Sequence, residues 1–281
     1  MTVSELKANF STQLSDLYTA SENAFIFQIF AENILKLNTI QQRQLGDQEI
    51  SSENEEKFSQ IVSELKTGRP YLQILGETEF YGMKFFVDEN VLIPRPETEE
   101  LLEIAIREIK KIQSTQVIKI LDIGTGSGVI PLVLKKYFPE AEVSSIDFSE
   151  KALKTAKKNA DYHQLPVNFI HADYLHLELQ EKYDIIISNP PYIGIEEEIE
   201  IADSVKEFEP KMALFSPTAD ALIFYRKIAE DSRKHLNNDG LLFLEINQKL
   251  GPETLELYQD FSDAQLLKDL SENDRFIYGK K

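Results

Sequence analysis

From residue 117 onward, apolar β-branched stretches alternate with helical patterns, and this alternation restricts the fold more than any other feature of the chain. Residues 117–123, 141–146, 167–170, 183–187 and 241–246 read as buried strands. Helical patterns cover 96–112, the stretch up to Tyr137, 149–163, 218–236 and 252–260. Two last strands are expected near 264–269 and 275–279, flanking Glu272-Asn273-Asp274. Strands that alternate with helices build a parallel sheet covered on both faces, and ligands bind beyond its carboxyl edge. The turns that leave that edge are therefore where chemistry is to be sought.

One of these turns is Asp122-Ile123-Gly124-Thr125-Gly126-Ser127-Gly128, between a strand and a helix. Its glycines permit positive φ and close approach of backbone to ligand. The alternating spacing departs from the dinucleotide fingerprint, and no Lys-Ser/Thr follows as in a phosphate-binding P-loop. An uncharged nucleoside fits better than NAD or ATP. The next strand ends in Asp147, about 20–25 residues further on, the offset of a carboxylate that binds ribose hydroxyls. Ser149 caps the following helix. The strand after it ends in His171-Ala172-Asp173-Tyr174. Asp173 and Tyr174 are suited to reading an adenine amine and flanking its ring; a plain loop is the alternative.

The turn with the strongest chemical content is Ser188-Asn189-Pro190-Pro191-Tyr192. An Asn side chain offers both an acceptor and a donor to another planar amide or amidine. Prolines lack an N–H and have fixed φ, so the Asn189 and Pro190 carbonyls can be held out as acceptors. Tyr192 offers a flat face. Asn-Pro and Pro-Pro are also common strand-ending punctuation.

Residues 1–75 read as a separate antiparallel helical bundle, with stripes at Leu6, Phe10, Leu14 and Leu17 and again from Phe25 to Leu35. Ser52 with Glu55 has the capping-box spacing, and Gly68 with Pro70 ends that helix. Such a bundle is either a stabilising cap or a docking module. Residues 76–95 form a linker and a β-hairpin turning at Gly82, with a third short strand expected at 91–93. Pro96 suits a first helical position. Arg95 and Glu97 beside it are either structural charges or pocket lining. Glu196-Glu197-Glu198 reads as a solvated loop or helix face.

A net charge of −18 argues against broad binding to a phosphate backbone. Without cysteine there is no disulfide framework, thiolate metal site or cysteine nucleophile. The four His are scattered, so no metal is expected. Residues 1–10 have no apolar signal core, no apolar run reaches membrane-spanning length, and a cytoplasmic protein is expected.

The element order from 117 onward resembles the class I S-adenosylmethionine-dependent methyltransferases. That resemblance implies an α/β fold: a seven-stranded, mostly parallel, Rossmann-like sheet with its last strand antiparallel. Within that superfamily, Asn-Pro-Pro-Tyr resembles enzymes that methylate planar nitrogens. Leu92-Ile93-Pro94-Arg95-Pro96-Glu97-Thr98-Glu99, the two turns above, Glu209-Pro210 with Ala213-Leu214, and Leu244-Glu245-Ile246 together resemble the release-factor glutamine methyltransferases. The departures are Asn247 in place of a usual Gly, Ser216-Pro217-Thr218-Ala219 in place of a Gly-rich stretch, Pro131 in place of a small residue, and Tyr174 where Trp is frequent. Asn at 247 is expected to tolerate left-handed φ.

The resemblance implies S-adenosyl-L-methionine as cofactor. Gly124, Thr125, Gly126, Ser127 and Gly128 would wrap its methionine part, Asp147 would hold the ribose, and Asp173 and Tyr174 would lie by the adenine. Asn189 would touch both cofactor and substrate. With Pro190, Pro191 and Tyr192 it would hold the glutamine of a release factor's Gly-Gly-Gln loop. Asn189, Pro190 and Tyr192 would act by positioning and electrostatics. The domains implied are a docking bundle (1–75), a linker and hairpin (76–95) and a methyltransferase domain (96–281). Two rivals stand against this reading. A DNA adenine methyltransferase shares the turn, but the acidic balance counts against it. A non-catalytic docking module would not need both intact turns.

Overall fold

The computed structural model describes residues 1–112, 116–193, 203–218 and 220–281; the Glu196-Glu197-Glu198 run lies outside them. The chain divides into two units, Met1–Gly76 with Asp203–Phe208, and Glu77–Ala202 with Glu209–Lys281.

The first unit contains α1 (Val3–Gln13), α2 (Ala20–Leu35), α3 (Thr39–Gln44), α4 (Ser52–Lys66) and α5 (Tyr71–Leu75). Three of these open on reciprocal capping boxes: Thr2 with Glu5, Thr19 with Glu22, and Asn38 with Gln41. The box expected at Ser52 and Glu55 does not form. Ser51 holds the extended cap conformation and accepts from the Asn54 N–H, so Ser52 is already helical. Glu55 then stands one position too far along to reach the cap, and it pairs with the Met1 ammonium at 2.7 Å. The core is aromatic: the Phe27 ring centroid lies 5.5 Å from that of Phe10 and 5.7 Å from that of Phe58. Gln73 donates to the Phe208 carbonyl at 2.8 Å, which ties the helix at 203–208 to this unit.

The second unit begins with a hairpin, β1 (Glu77–Phe80) and β2 (Met83–Phe86). Tyr81 and Gly82 both have positive φ, 51° and 64°, as a two-residue hairpin turn requires. The strand expected at 91–93 is absent. The Ile93 N–H donates to the Glu209 carboxylate at 3.1 Å, not to a neighbouring strand, and Pro94 has no N–H to give.

The chain continues through α6 (Pro96–Ile109), β3 (Lys119–Ile123), α7 (Val129–Tyr137), β4 (Glu142–Asp147), α8 (Glu150–His163), β5 (Asn168–His171) and β6 (Tyr183–Ser188). It then passes α9 (Asp203–Phe208, counted with the first unit) and α10 (Lys211–Leu214) before α11 (Ile223–His235) and β7 (Leu236–Glu245). A 3₁₀ turn (Gln248–Leu250), α12 (Gly251–Glu256), β8 (Asp263–Lys268) and β9 (Asp274–Lys280) complete it.

Two element starts move furthest from their expected places. The helix expected from 218 starts at Ile223, because Asp220 accepts the Leu222 N–H and holds the preceding residues in a polar turn. The strand expected from 241 starts at Leu236. Leu236 pairs with Tyr183 while Leu241 pairs with Ile185, so the residues between them bulge out around Asp239, whose φ is 62°.

The seven strands are ordered β5-β4-β3-β6-β7-β9-β8, with only β9 antiparallel to its neighbours. Side chains alternate between two cores. Ile185 and Ile187, with Leu241 and Phe243, join the core that includes α6 and α7. Ile186, Leu242 and Leu244 join the core that includes α11, Tyr258 and Phe261. Both faces are covered, which is why these strands read as unbroken apolar runs. From β3 the chain winds one way through β4 and β5, then crosses to β6 on the other side of β3. That reversal opens a crevice beyond the carboxyl ends of β3 and β6.

Candidate active site

Strand register brings the two turns together. Ile123 pairs with Ser188, and the Ser188 hydroxyl donates to the Ile123 carbonyl at 2.7 Å. The next residues, Gly124 and Asn189, are therefore neighbours. Gly124 has φ +91°, and a Cβ there would stand 3.4 Å from the Asn189 carbonyl oxygen. Both the backbone angle and the close approach favour glycine at this position.

A cavity of about 850 Å³ lies in this crevice. Its lining includes Gly124, Thr125, Gly126, Ser127, Asp147, Asp173, Tyr174, Asn189, Pro190 and Pro191. Two predicted residues are outside it. Gly128 lies behind the turn, where a Cβ would press on Ala156 and Leu132 at 3.2–3.3 Å. Tyr192 packs against the α11-side core and turns its hydroxyl to Glu245 at 3.4 Å. The flat face expected of Tyr192 is thus not part of the cavity wall.

Asp147 has two tasks. Its carboxylate accepts the Gly126 N–H at 2.9 Å and the Ser149 N–H at 2.8 Å, pinning the glycine turn and the start of α8. Burial pushes its pKa up, and these two N–H groups hold it back. Each oxygen accepts one of these bonds and so keeps a further lone pair, on a residue that lines the cavity. Asp173 accepts from the Leu175 N–H at 3.1 Å and pairs with His176 at 2.8 Å. Tyr174 is buried at the cavity's inner wall, with the Lys227 ammonium 5.3 Å from its ring centroid. A Cβ on Gly126 would meet open space, so this stretch presents bare backbone to the cavity. Bare backbone, a carboxylate for hydroxyls and a long apolar wall fit a nucleoside joined to an amino acid. The volume lies within the roughly 300–1,000 Å³ usual for such ligands.

From the cavity wall, where Asn189 and Thr98 both lie, polar groups form a connected cluster. Asn189 Nδ2 donates to the Thr98 hydroxyl oxygen at 3.2 Å, and the Thr98 hydroxyl donates to Glu245 Oε2 at 2.8 Å. The Tyr225 hydroxyl donates to the Glu245 backbone carbonyl at 3.2 Å. Glu245 is 1% exposed. Burial raises its pKa to about 7, with Glu97 adding to the rise; Thr98, Arg275 and Tyr192 oppose it. Asn247 has φ −64°, not the left-handed conformation expected of it. Its side chain donates to the Tyr192 carbonyl at 3.2 Å and caps the 3₁₀ turn. Arg95, itself in the cavity lining, pairs with Glu209 at 2.6 Å, and Glu209 precedes the lining residue Pro210.

Sequence reasoning had no role for Thr98, Glu245 or Asn247. Only Glu245, a charged residue at the end of the apolar β7 run and followed by Ile246, hinted at one.

Comparison with known proteins gives a consistent result. A family model described as "Methyltransferase small domain" matches residues 106–207. A release factor glutamine methyltransferase of Flavobacterium psychrophilum is 42% identical over 280 residues, which are 99% of this chain and 98% of that protein. One of Bacteroides thetaiotaomicron is 34% identical over 98% of this chain and 99% of its own. One of Streptococcus pneumoniae is 41% identical over 82% of each. Among solved structures, a methyltransferase from Pyrococcus furiosus matches with TM-score 0.51 at 16% identity, over 78% of this chain and 98% of that one. The human methyltransferase 10 domain containing protein matches with TM-score 0.51 at 17% identity, over 75% and 96%. At these identities the two structures speak for the fold alone.

Proposed function

The chain belongs to the release factor glutamine methyltransferase family, and from that premise we propose that Asn189 holds the amide nitrogen that receives the methyl group. The enzyme methylates the N5 nitrogen of a glutamine, in the Gly-Gly-Gln loop of a peptide-chain release factor, with S-adenosyl-L-methionine as donor. The observation that carries the site assignment is the meeting of the glycine turn and the Asn189-Pro190-Pro191 turn in one cavity. Release factors work on the ribosome, so the reading puts the enzyme in the cytoplasm. Among the described residues, no helix is long and apolar enough to cross a membrane.

When bound, S-adenosyl-L-methionine supplies a methyl group on a sulfonium, a good leaving group that needs no general acid. Thr125, Ser127 and the backbone of Gly124 and Gly126 would hold its methionine part, Asp147 the ribose, and Asp173 and Tyr174 the adenine. The chain's remaining task is the nucleophile, because an amide nitrogen's lone pair is delocalised into its carbonyl. The Asn189 side-chain oxygen and the Pro190 carbonyl would accept the two hydrogens of the substrate amide. That aims the nitrogen and stabilises the positive charge that develops on it. The proton leaves after transfer, when the nitrogen is far more acidic, so no strong base is required at Asn189. Pro191 shapes the wall, and Tyr192 braces the turn from the core side.

Incubation of the full-length enzyme with methyl-labelled cofactor tests the reading. Label should enter release factor at its glutamine and not enter DNA. Label in DNA, or none in either, would overturn it.

The helical unit is proposed to dock the protein substrate. Its helices supply packing stripes and capping boxes and no cofactor-type turn. Removing residues 1–76 should lower methylation of intact release factor by at least about tenfold, as loss of a docking surface does. Cofactor affinity of the remaining chain, measured by calorimetry, should be preserved. Full activity of the truncated enzyme would reduce the bundle to a cap.

A further inference from the structure

We propose that Glu245, acting through Thr98, dictates which end of the Asn189 carboxamide faces the substrate. The inference rests on the reading that Asn189 holds the reacting amide, and it adds two positioning residues to that reading.

The argument is a count of hydrogens. A threonine hydroxyl has one hydrogen to donate and lone pairs to accept with. Glu245 as a carboxylate has none, so the Thr98 hydroxyl must donate to it, across 2.8 Å. Thr98 then offers Asn189 only lone pairs. The end of the carboxamide that meets Thr98 must be the NH₂, as it is, at 3.2 Å. That leaves the amide oxygen outside this contact, on a residue that lines the cavity. An oxygen accepts from a substrate N–H; an NH₂ in its place would repel it. Loss of the carboxylate's demand frees the Thr98 hydrogen to turn toward Asn189, and the carboxamide can then flip.

The cluster is built to keep this direction. Glu245 and Thr98 are 1% and 3% exposed, so water cannot readily substitute for either partner. The Tyr192 hydroxyl is a second donor to Glu245, at 3.4 Å. Arg275 of β9 favours the charged form of Glu245, while Glu97, beside Thr98 on α6, opposes it. Burial raises the pKa of Tyr192 and Tyr225, so both remain neutral donors. Protonated Glu245 could donate to Thr98 and reverse the chain of hydrogen bonds. The rate should therefore fall as pH drops through about 7.

The test compares wild type, Thr98→Val, Thr98→Ser, Glu245→Gln and Asn189→Ala as full-length enzymes. Initial rates of methyl transfer to purified release factor are measured at saturating cofactor from about pH 6 to about pH 9, bracketing the Glu245 value near 7. Thr98→Val should lower kcat by about 10- to 100-fold, the cost of a misaligned reacting group, with KM for release factor little changed. Thr98→Ser keeps the hydroxyl and should recover most of the rate. The wild-type acid limb should be missing in Glu245→Gln.

A kcat for Thr98→Val equal to that of Thr98→Ser would overturn the proposal, as would an unchanged acid limb in Glu245→Gln. If melting shows that Thr98→Val does not fold, the Glu245→Gln profile decides alone. A wild-type kcat in Asn189→Ala would instead remove the underlying reading. A slow Asn189→Ala beside a fast Thr98→Val would remove only the inference drawn here.

Discussion

Asn189→Ala should lower kcat for release-factor methylation by about 10²–10³-fold, the usual effect of losing one preorganised polar contact to developing charge. KM for release factor should change little, because docking is spread over a larger surface. Asn189→Asp is the sharper variant. It keeps the shape and an acceptor, but it loses the NH₂ that donates to Thr98 at 3.2 Å. The hydroxyl hydrogen of Thr98 is already committed to Glu245, so a carboxylate at 189 would face the hydroxyl's lone pairs and lie close to a buried acid. Asn189→Asp should therefore be no faster than Asn189→Ala. Steady-state rates with purified release factor check both statements. Wild-type kcat in the alanine variant would leave the turn as nothing more than the end of a strand.

The second large effect is expected at Asp147. Loss of its hydrogen bonds to a ribose diol should raise the Kd for S-adenosyl-L-methionine by roughly 10- to 100-fold in Asp147→Ala, since bonds to a charged group contribute about 1.5–3 kcal/mol each. The geometry makes a further demand on the isosteric variant. Both carboxylate oxygens already accept a backbone N–H, one from Gly126 and one from Ser149. An Asn at this position must turn its NH₂ toward one of those donors and break that contact. Asp147→Asn should thus bind cofactor about as poorly as Asp147→Ala, and both should melt at lower temperature than wild type. Calorimetry and thermal melting measure the two effects separately. Unchanged affinity in either variant would remove the ribose assignment.

The strands and helices that build the sheet were legible because they follow from local rules. Buried parallel strands such as 183–187 must be apolar on both faces, so they stand out as runs. Ser149 and Pro96 mark helix starts through the backbone groups they satisfy or lack. The tight hairpin at Gly82 was legible for the same reason, as positive φ favours glycine. The two turns that meet at the cavity could be singled out because glycine spacing and Asn-Pro-Pro-Tyr have chemical uses that do not depend on distant residues. Local rules also misled where two readings were equally good. Ser51 and Ser52 can each cap a helix, and only the chain's path chose Ser51. Residues 91–93 have strand composition, but a carboxylate more than a hundred positions away, Glu209, takes the Ile93 N–H.

What composition and spacing determined was therefore the architecture, the family resemblance and the two turns that meet at the cavity. What only the tertiary structure decided was how the residues behind those turns are wired. Thr98 and Glu245 are 147 positions apart, and Tyr192 and Asn247 are 55 apart. Nothing local to α6 or β7 says that they meet. The sheet order brings them together by placing β6 between β3 and β7, with α6 packed against β7. The physical reason is that a hydrogen bond's direction depends on every hydrogen in its cluster, and the members of this cluster become neighbours only when the sheet has closed around them.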